Sequence, residues 1–590
     1  MVDTNKFIVK CRRPSSRAKK YDLHFDFNKE MIDCIKLLDS KNRSYKDRVW
    51  SLNVKGLFEL ISMFRGSDKV HFDFGSDEEK ERIKDQFDKV IQEKRETERK
   101  TRELIKNKKF WMEMKSEYEE NFEKYSDKAH AGLLDHIKLY PHQIVGILFL
   151  KEVKNALLAL DMGTGKSIIS IGYVELMKYK KVLVITPNSL KFNYHNEVVK
   201  FTNSKSYIVG SNKNQYSIEE SKYVIVNYDY FNSSDKNRAL KKIDDLKLDD
   251  IEGVICDECQ KLKNTKSNIY KNFNKFIGKL NISKVFMSGT PMNSRVYELY
   301  TILNQISPIE FSTKEHFFTH YCGMKYNLDG YGWEVDSAIK FDELYSKISP
   351  FMYRKRKEEV LDDLPDKSYI NLDVEMTKKQ QKEYDNIVNS TKMDFFGNKQ
   401  NLNPLVILTE LRKYLSEIKK NSIYDLINII IENNDKVVII DVYKKPLNEI
   451  HEKYKNISLL HTGDYSTELR ADMVNKFQEK SKDKLIFLGT VSTTNYGLTL
   501  TESNIMILLT LPYTVGEYNQ VVDRIYRIGQ KNNVIIYCPI VKSSIDEHVF
   551  AMLMSKLGET TKILDNREIE INYQHEDINS IMKKIVLDIE

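Results

Sequence analysis

A chain of 590 residues is too long for one hydrophobic core, so three or four domains are expected. Hydrophobic residues make up 41% and charged residues 30%, no run approaches the ~18 apolar residues of a membrane span, and the start, Met1-Val2-Asp3-Thr4-Asn5-Lys6, lacks the basic-then-apolar order of a secretion signal. The net charge of +7 is compatible with a phosphate-backbone partner without specifying one, and six cysteines suit a reducing compartment.

Residues 1–75 read as a small α/β unit. Strand character at Lys6–Lys10 and Tyr21–Phe27 is followed by a helix over Lys29–Leu38, a strand over Arg48–Asn53, a helix over Lys55–Phe64 and a last strand over Val70–Phe74. A loop between the first two strands carries Arg12, Arg13, Arg17, Lys19 and Lys20, which either grip nucleic acid or are solvated. Residues 76–130 are dense in Lys, Glu and Arg and read as a charged helical linker, with direct DNA binding as the alternative.

From 131 short apolar strands alternate with helices, the mark of a parallel sheet. Strands are expected at Ala156–Leu160, Lys181–Ile185, Tyr223–Val226, Gly253–Cys256 and Lys284–Met287, giving one lobe over 131–345. A mixed helical stretch over 346–425 is read as an insertion or linker. Strands resume at Lys436–Asp441, Ser458–His461, Lys484–Leu488, Ile505–Leu509 and Asn533–Cys538, a second lobe over 426–565, before a charged tail over 566–590. The fold class is therefore α/β: two parallel-sheet lobes with a helical insertion, preceded by a small α/β domain and a helical linker.

The chemistry concentrates at strand ends. Strand Ala156–Leu160 runs into Asp161-Met162-Gly163-Thr164-Gly165-Lys166-Ser167 and then an apolar helix. Gly163 and Gly165 let the backbone wrap round phosphate oxygens, and the helix N-terminus adds free N–H groups. Lys166 would reach the β- and γ-phosphates of ATP and Ser167 would ligate Mg²⁺. The strict GxxxxGK[ST] pattern fails at its first position, where Leu160 stands, so the loop alone leaves an ordinary strand–helix turn open. Asp257-Glu258 follows the apolar run Gly253–Cys256, which places a carboxylate pair beside that loop: Asp257 for Mg²⁺, Glu258 for the attacking water. Cys256 and Cys259 have CxxC spacing, but they flank the acid pair inside a buried-strand pattern and do not read as a zinc site. Arg524 and Arg527, three apart on one helical face, would neutralise charge on the transferring phosphoryl group and tie hydrolysis to lobe closure.

Between Tyr140 and Gln530 these segments stand in an order that resembles the Snf2 branch of superfamily 2 helicase-like ATPases, over about 137–560. Leu139-Tyr140-Pro141-His142-Gln143 is similar to the motif before the P-loop, which implies Gln143 on adenine. Asp161–Ser167 resembles motif I, implying nucleotide contacts from Met162, Gly163, Thr164, Gly165, Lys166 and Ser167. Ile185-Thr186-Pro187 resembles motif Ia, Asp257–Gln260 motif II with Gln260 in place of the usual His, and Ser288-Gly289-Thr290-Pro291 motif III. Tyr353–Val360 with Asp363-Leu364-Pro365 resembles the segment leading to the second lobe. Thr493-Thr494-Asn495-Tyr496-Gly497-Leu498-Thr499-Leu500 is similar to motif V, with Gly497 at the nucleotide, and Arg524–Gln530 is a specific signature of the branch. The resemblance implies RecA-like lobes, numbered 1 and 2 in chain order.

Motif V and the segment Ser40–Leu52 resemble the annealing-helicase (HARP-like) group, in which the N-terminal domain recognises branched DNA; the alternative is an unrelated module with Trp50 in its core. Only one such unit is present, and no motif for a single-strand-binding-protein partner is evident. Short hydroxyls and an amine near strand ends, Thr186, Ser189, Lys191, Thr290, Thr493 and Thr494, are candidate DNA-backbone contacts, each with a turn role as the alternative. The expected function is an ATP-dependent translocase that remodels or re-anneals branched duplex DNA. The rivals are a motor that slides or strips proteins and a junction-binding protein with a regulatory ATPase. Expected partners are double-stranded or branched DNA and replication or repair proteins, with no membrane, and the chain is expected to be a monomer. Abundant Lys, Ile, Asn and Tyr hint at an AT-rich genome, hence a cytoplasmic, nucleoid-associated protein of a bacterium or bacteriophage.

Overall fold

The computed structural model describes residues 7–15, 18–38, 42–64, 70–235, 246, 250–293, 295–327, 332–335, 340–360, 364–397, 404–481, 483–494, 498–527 and 529–567. The chain divides into two compact units, 1–107 and 108–590.

The first unit is built on a five-stranded sheet in the order Arg43–Lys46, Val49–Asn53, Lys20–His24, Phe7–Arg12, Val70–Asp73. All neighbours are antiparallel except the last pair, which is parallel. Alternate residues Val9, Cys11, Tyr21, Leu23 and Leu52 turn to one face, where Met31, Ile35, Leu57 and Leu60 of helices Lys29–Leu37 and Val54–Met63 cover them. Asn28 and Asn53 cap those helices through their side chains, which fixes where each begins. Trp50 is half-buried, 4.6 Å from the Tyr45 ring. The basic loop is only partly free: Arg12 pairs with Asp73 at 2.6 Å and Arg13 with Glu79 at 2.9 Å, whereas Lys19 and Lys20 are exposed. Arg17 lies outside the described residues.

Helix Asp77–Glu120 runs from the first unit into the second. The sequence suggests a solvated linker, yet its last turns are packed. Within 108–590, Lys108 pairs with Glu310, Trp111 meets Phe351 edge-on at 5.6 Å, Tyr118 Oη donates to Glu152 at 2.9 Å, and Lys355 reaches Glu119 at 3.0 Å.

Among the described residues the second unit carries a two-stranded antiparallel sheet, Met324–Asn327 with Gly332–Val335, and two wholly parallel ones. The first runs Met352–Lys355, Asn155–Leu160, Ser283–Met287, Gly253–Asp257, Val182–Thr186, Tyr223–Asn227, Ser206–Ile208. The second runs Lys367–Val374, Val534–Val541, Ile505–Leu508, Val437–Asp441, Ile486–Thr490, Ser458–His461. Strands buried on both faces read as unbroken apolar runs, and Val437–Ile440 shows why. Val438 and Ile440 enter the core on one face; Val437 and Ile439 enter the core on the other. The stretch 346–425 differs from its helical reading. It contributes Met352–Lys355 as an edge of the first sheet and Lys367–Val374 as an edge of the second before helices Lys378–Gly397 and Pro404–Ser422. No helix among the described residues is long and apolar enough to cross a membrane.

Candidate active site

Strand Asn155–Leu160 ends in the glycine-rich turn, and helix Lys166–Leu176 starts from it. Gly163 and Gly165 have φ of 84° and 93°, in the left-handed region that favours glycine. A Cβ on Gly165 would stand 2.3 Å from Gln143 Nε2, so any larger residue there would displace the Gln143 amide as well as strain the backbone. No side chain caps this helix, which leaves its first N–H groups facing the cleft. Lys166 Nζ lies on the carbonyls of Leu160 and Asp161, at 2.9 and 3.2 Å.

The acid pair sits opposite. Asp257 Oδ2 accepts from Thr186 Oγ1 at 3.0 Å and its Oδ1 from the Glu258 N–H at 3.0 Å. Burial, reinforced by the Glu258 charge and opposed by Lys166, pushes the Asp257 carboxyl up to about 7. A divalent cation would reverse that balance, because its charge favours the ionised form. Glu258 has φ of 50°, a strained position that aims its side chain back into the cleft, where Gln260 Nε2 donates to Oε2 at 2.6 Å.

The second lobe completes the cleft. Arg524, 1% exposed, donates to the Gln520 carbonyl at 2.8 Å, the Leu498 carbonyl at 3.3 Å and Met162 Sδ at 3.3 Å. Burial brings its guanidinium down to about 10. Arg527 donates to Leu498 O at 3.3 Å, and its Cγ would lie 3.5 Å from a Cβ on Gly163. One cleft of about 240 Å³ is lined by Met162, Gly163, Gly165, Lys166, Ser167, Asp257, Glu258, Arg524 and Arg527, together with Glu197 and Asp523.

Several expected site residues lie elsewhere. Gln143 does not line this cleft: its Oε1 accepts from the Tyr140 N–H at 3.0 Å and its Nε2 donates to Thr164 O at 3.3 Å, so it props the phosphate loop from beneath. Thr164 is buried and turns its hydroxyl to Asp161 O. Of the expected DNA contacts, Thr186 is fully buried with its hydroxyl on Asp257, and Thr494 is fully buried with its hydroxyl on Thr490 O. Thr493 donates to His461 O at 2.9 Å. Thr290 is buried with its Oγ1 3.4 Å from where a Cβ on Gly516 of the second lobe would stand. Thr186, Thr290 and Thr494 are thus buried, whereas Thr493 is partly exposed. Ser189 is exposed and Lys191 half-exposed at the start of helix Lys191–Phe201. Gly497 lies outside the described residues.

Sequence reasoning missed Glu197. It projects from that same helix, hydrogen-bonds Ser167, and burial raises its carboxyl above the usual range. Its one signal is its place, four residues beyond Asn193 on the helix after motif Ia, which matters only once that helix packs beside the loop.

A phosphate loop facing a buried acid pair, closed by two arginines from a second parallel-sheet lobe, defines a helicase-type ATPase core. Residues 37–420 match the SNF2-related domain and residues 419–529 the Helicase conserved C-terminal domain, and the chain belongs to the SNF2-related family. It is 25% identical over 443 residues to an uncharacterized ATP-dependent helicase of Mycoplasma genitalium, covering 70% of this chain and 41% of that protein. It is 24% identical over 456 residues to the human DNA annealing helicase and endonuclease ZRANB3, covering 75% of this chain and 42% of that protein. Among solved structures it is similar to the Sulfolobus solfataricus SWI2/SNF2 ATPase core in complex with dsDNA, at 22% identity and a TM-score of 0.35, over 74% of this chain and 98% of that one. The chain spans about two fifths of the length of the first curated relatives it matches.

Proposed function

We propose that the chain is a DNA-dependent ATPase that translocates on duplex DNA and remodels or re-anneals branched DNA. The observation that carries the motor reading is the single cleft in which Lys166, Asp257 and Glu258 of one lobe meet Arg524 and Arg527 of the other. Turnover then requires both lobes, which is how hydrolysis couples to movement.

The residues divide the work. The loop N–H groups and Lys166 take the β- and γ-phosphates of ATP, Lys166 exchanging the carbonyls it now holds. Ser167 and Asp257 would hold Mg²⁺, which when bound offsets phosphate charge. Glu258 orients water in line with the γ-phosphate and accepts its proton, while Arg524 and Arg527 stabilise charge on the transferring group. A neighbouring cavity of about 810 Å³, walled by Tyr140, His142, Tyr353 and Gly529, has room for the base.

Ser189 and Lys191 remain candidate contacts to the DNA backbone. The small N-terminal sheet domain is assigned to choice of DNA structure, in keeping with a relative named as an annealing helicase. The test is steady-state ATPase activity with no DNA, single strands, plain duplex and forked duplex, for the full chain and a version lacking residues 1–75. Stimulation by the fork that falls away on truncation supports the branched-DNA reading. Equal stimulation by plain duplex, unchanged by truncation, overturns it and favours a motor that moves proteins along DNA.

A further inference from the structure

The segment leaving the first lobe does more than connect. Strand Met352–Lys355 lies beside the strand that feeds the phosphate loop, with Arg354 opposite Ala159 and Lys355 opposite Leu160. Arg354 Nη1 donates to Asp161 Oδ1 at 2.7 Å and its Nε to Asp565 Oδ1 at 2.7 Å. The N–H of Lys357 donates to the other oxygen of Asp161 at 3.1 Å. Its ammonium crosses to the second lobe, donating to Asp523 Oδ1 at 2.6 Å and to the Tyr526 carbonyl at 2.7 Å. The Lys357 side chain is 2% exposed, and its Cε would lie 3.8 Å from a Cβ on Gly163.

Lys357 therefore holds the first residue of the phosphate loop with its backbone and the arginine-bearing segment with its side chain. Asp523 immediately precedes Arg524, and Tyr526 immediately precedes Arg527. A buried ammonium deprived of its partners is strongly unfavourable, so this cation resists any arrangement in which the segment moves away from it. We propose that Lys357 is a positioning residue that sets Arg524 and Arg527 over the phosphate loop and links the loop, through Asp161, to the second lobe. The proposal rests on the reading of the cleft as an ATPase site.

The test uses the full chain with Lys357→Met, Lys357→Arg and Asp523→Asn, alone and with Lys357→Met and Asp523→Asn combined. Readouts are kcat and KM for ATP at saturating duplex, affinity for a fluorescent ADP analogue, and melting temperature. Lys357→Met is expected to lower kcat about 10²-fold while ADP affinity changes by less than about threefold, because the loop's own phosphate groups are untouched. Lys357→Arg should recover kcat to within about tenfold of the parent, and the double variant should be no slower than the worse single one, as for two groups acting together. A kcat for Lys357→Met within about threefold of the parent overturns the proposal, as does multiplication of the two single effects in the double variant. Should Lys357→Met fail to fold, Lys357→Arg and Asp523→Asn decide: a near-normal kcat in Asp523→Asn overturns the proposal. If the parent chain itself does not hydrolyse ATP, the ATPase reading fails first and independently.

Discussion

Gln260 Nε2 donates to Glu258 Oε2 at 2.6 Å, across a turn in which Glu258 holds a φ of 50°. The amide thus fixes the carboxylate that faces the phosphate loop, and a strained backbone keeps its direction. Gln260→Ala is expected to lower kcat about tenfold with little change in KM, since it loosens the base without touching phosphate contacts. Glu258→Gln should abolish turnover while leaving folding and nucleotide binding intact. Steady-state kinetics and analogue binding check both, and near-normal hydrolysis by Glu258→Gln would remove it as the base.

Glu197 places a further negative charge beside Ser167 in the same cleft. Glu197→Gln keeps a hydrogen-bonding side chain there and removes a charge that repels the triphosphate. KM for ATP is expected to fall by about two- to fivefold, the scale of one partly screened charge. A raised KM would mean that Glu197 assists phosphate binding.

The threonines and Lys191 separate DNA contact from internal support. Lys191→Ala should weaken duplex binding and lower the slope of log affinity against log salt by about 0.9, the loss of one phosphate contact. Thr494→Ala, whose hydroxyl is directed to Thr490 O, should leave that slope unchanged and lower the melting temperature. Anisotropy titrations at several salt concentrations distinguish them.

His461 sets an acid limit on the second lobe. Burial, with the charge of Arg470, lowers it from 6.5 to about 4. The unfolded chain therefore takes up the proton first as pH falls. This contribution to stability is complete above about 6.5 and is lost as pH falls towards 4, to an extent of ~3 kcal/mol at most. His461→Gln should flatten the drop in melting temperature between neutral and mildly acidic pH. An unchanged drop would assign acid sensitivity to other groups.

Most core strands were legible because they are buried on both faces and so written as runs of apolar residues, as in Val182–Thr186, Tyr223–Asn227 and Ile505–Leu508. Lys367–Val374 escaped notice because it is an edge, with Ser368, Tyr369, Ile370 and Asn371 all exposed, and Met352–Lys355 because half of it is basic. In the site, spacing marked Lys166, Asp257, Glu258, Arg524 and Arg527, since that chemistry needs those residue types at strand and helix ends. Hydroxyl direction is not written in spacing. Thr186 stands at a strand's carboxyl end as expected, yet the neighbouring strand offers Asp257, and a buried hydroxyl takes the nearest acceptor. Gln143 likewise stands at the right motif but is drawn under the loop by the carbonyl of Thr164.

Met352–Lys355 closes one sheet and Lys367–Val374 opens the other, with only residues 356–366 between them. Fully stretched, such a tether reaches roughly 40 Å. Two halves leashed so closely meet again at an effective concentration set by the reach of that tether. Reassembly after each turnover is thus unimolecular, indifferent to how dilute the protein is, and always with its own other half.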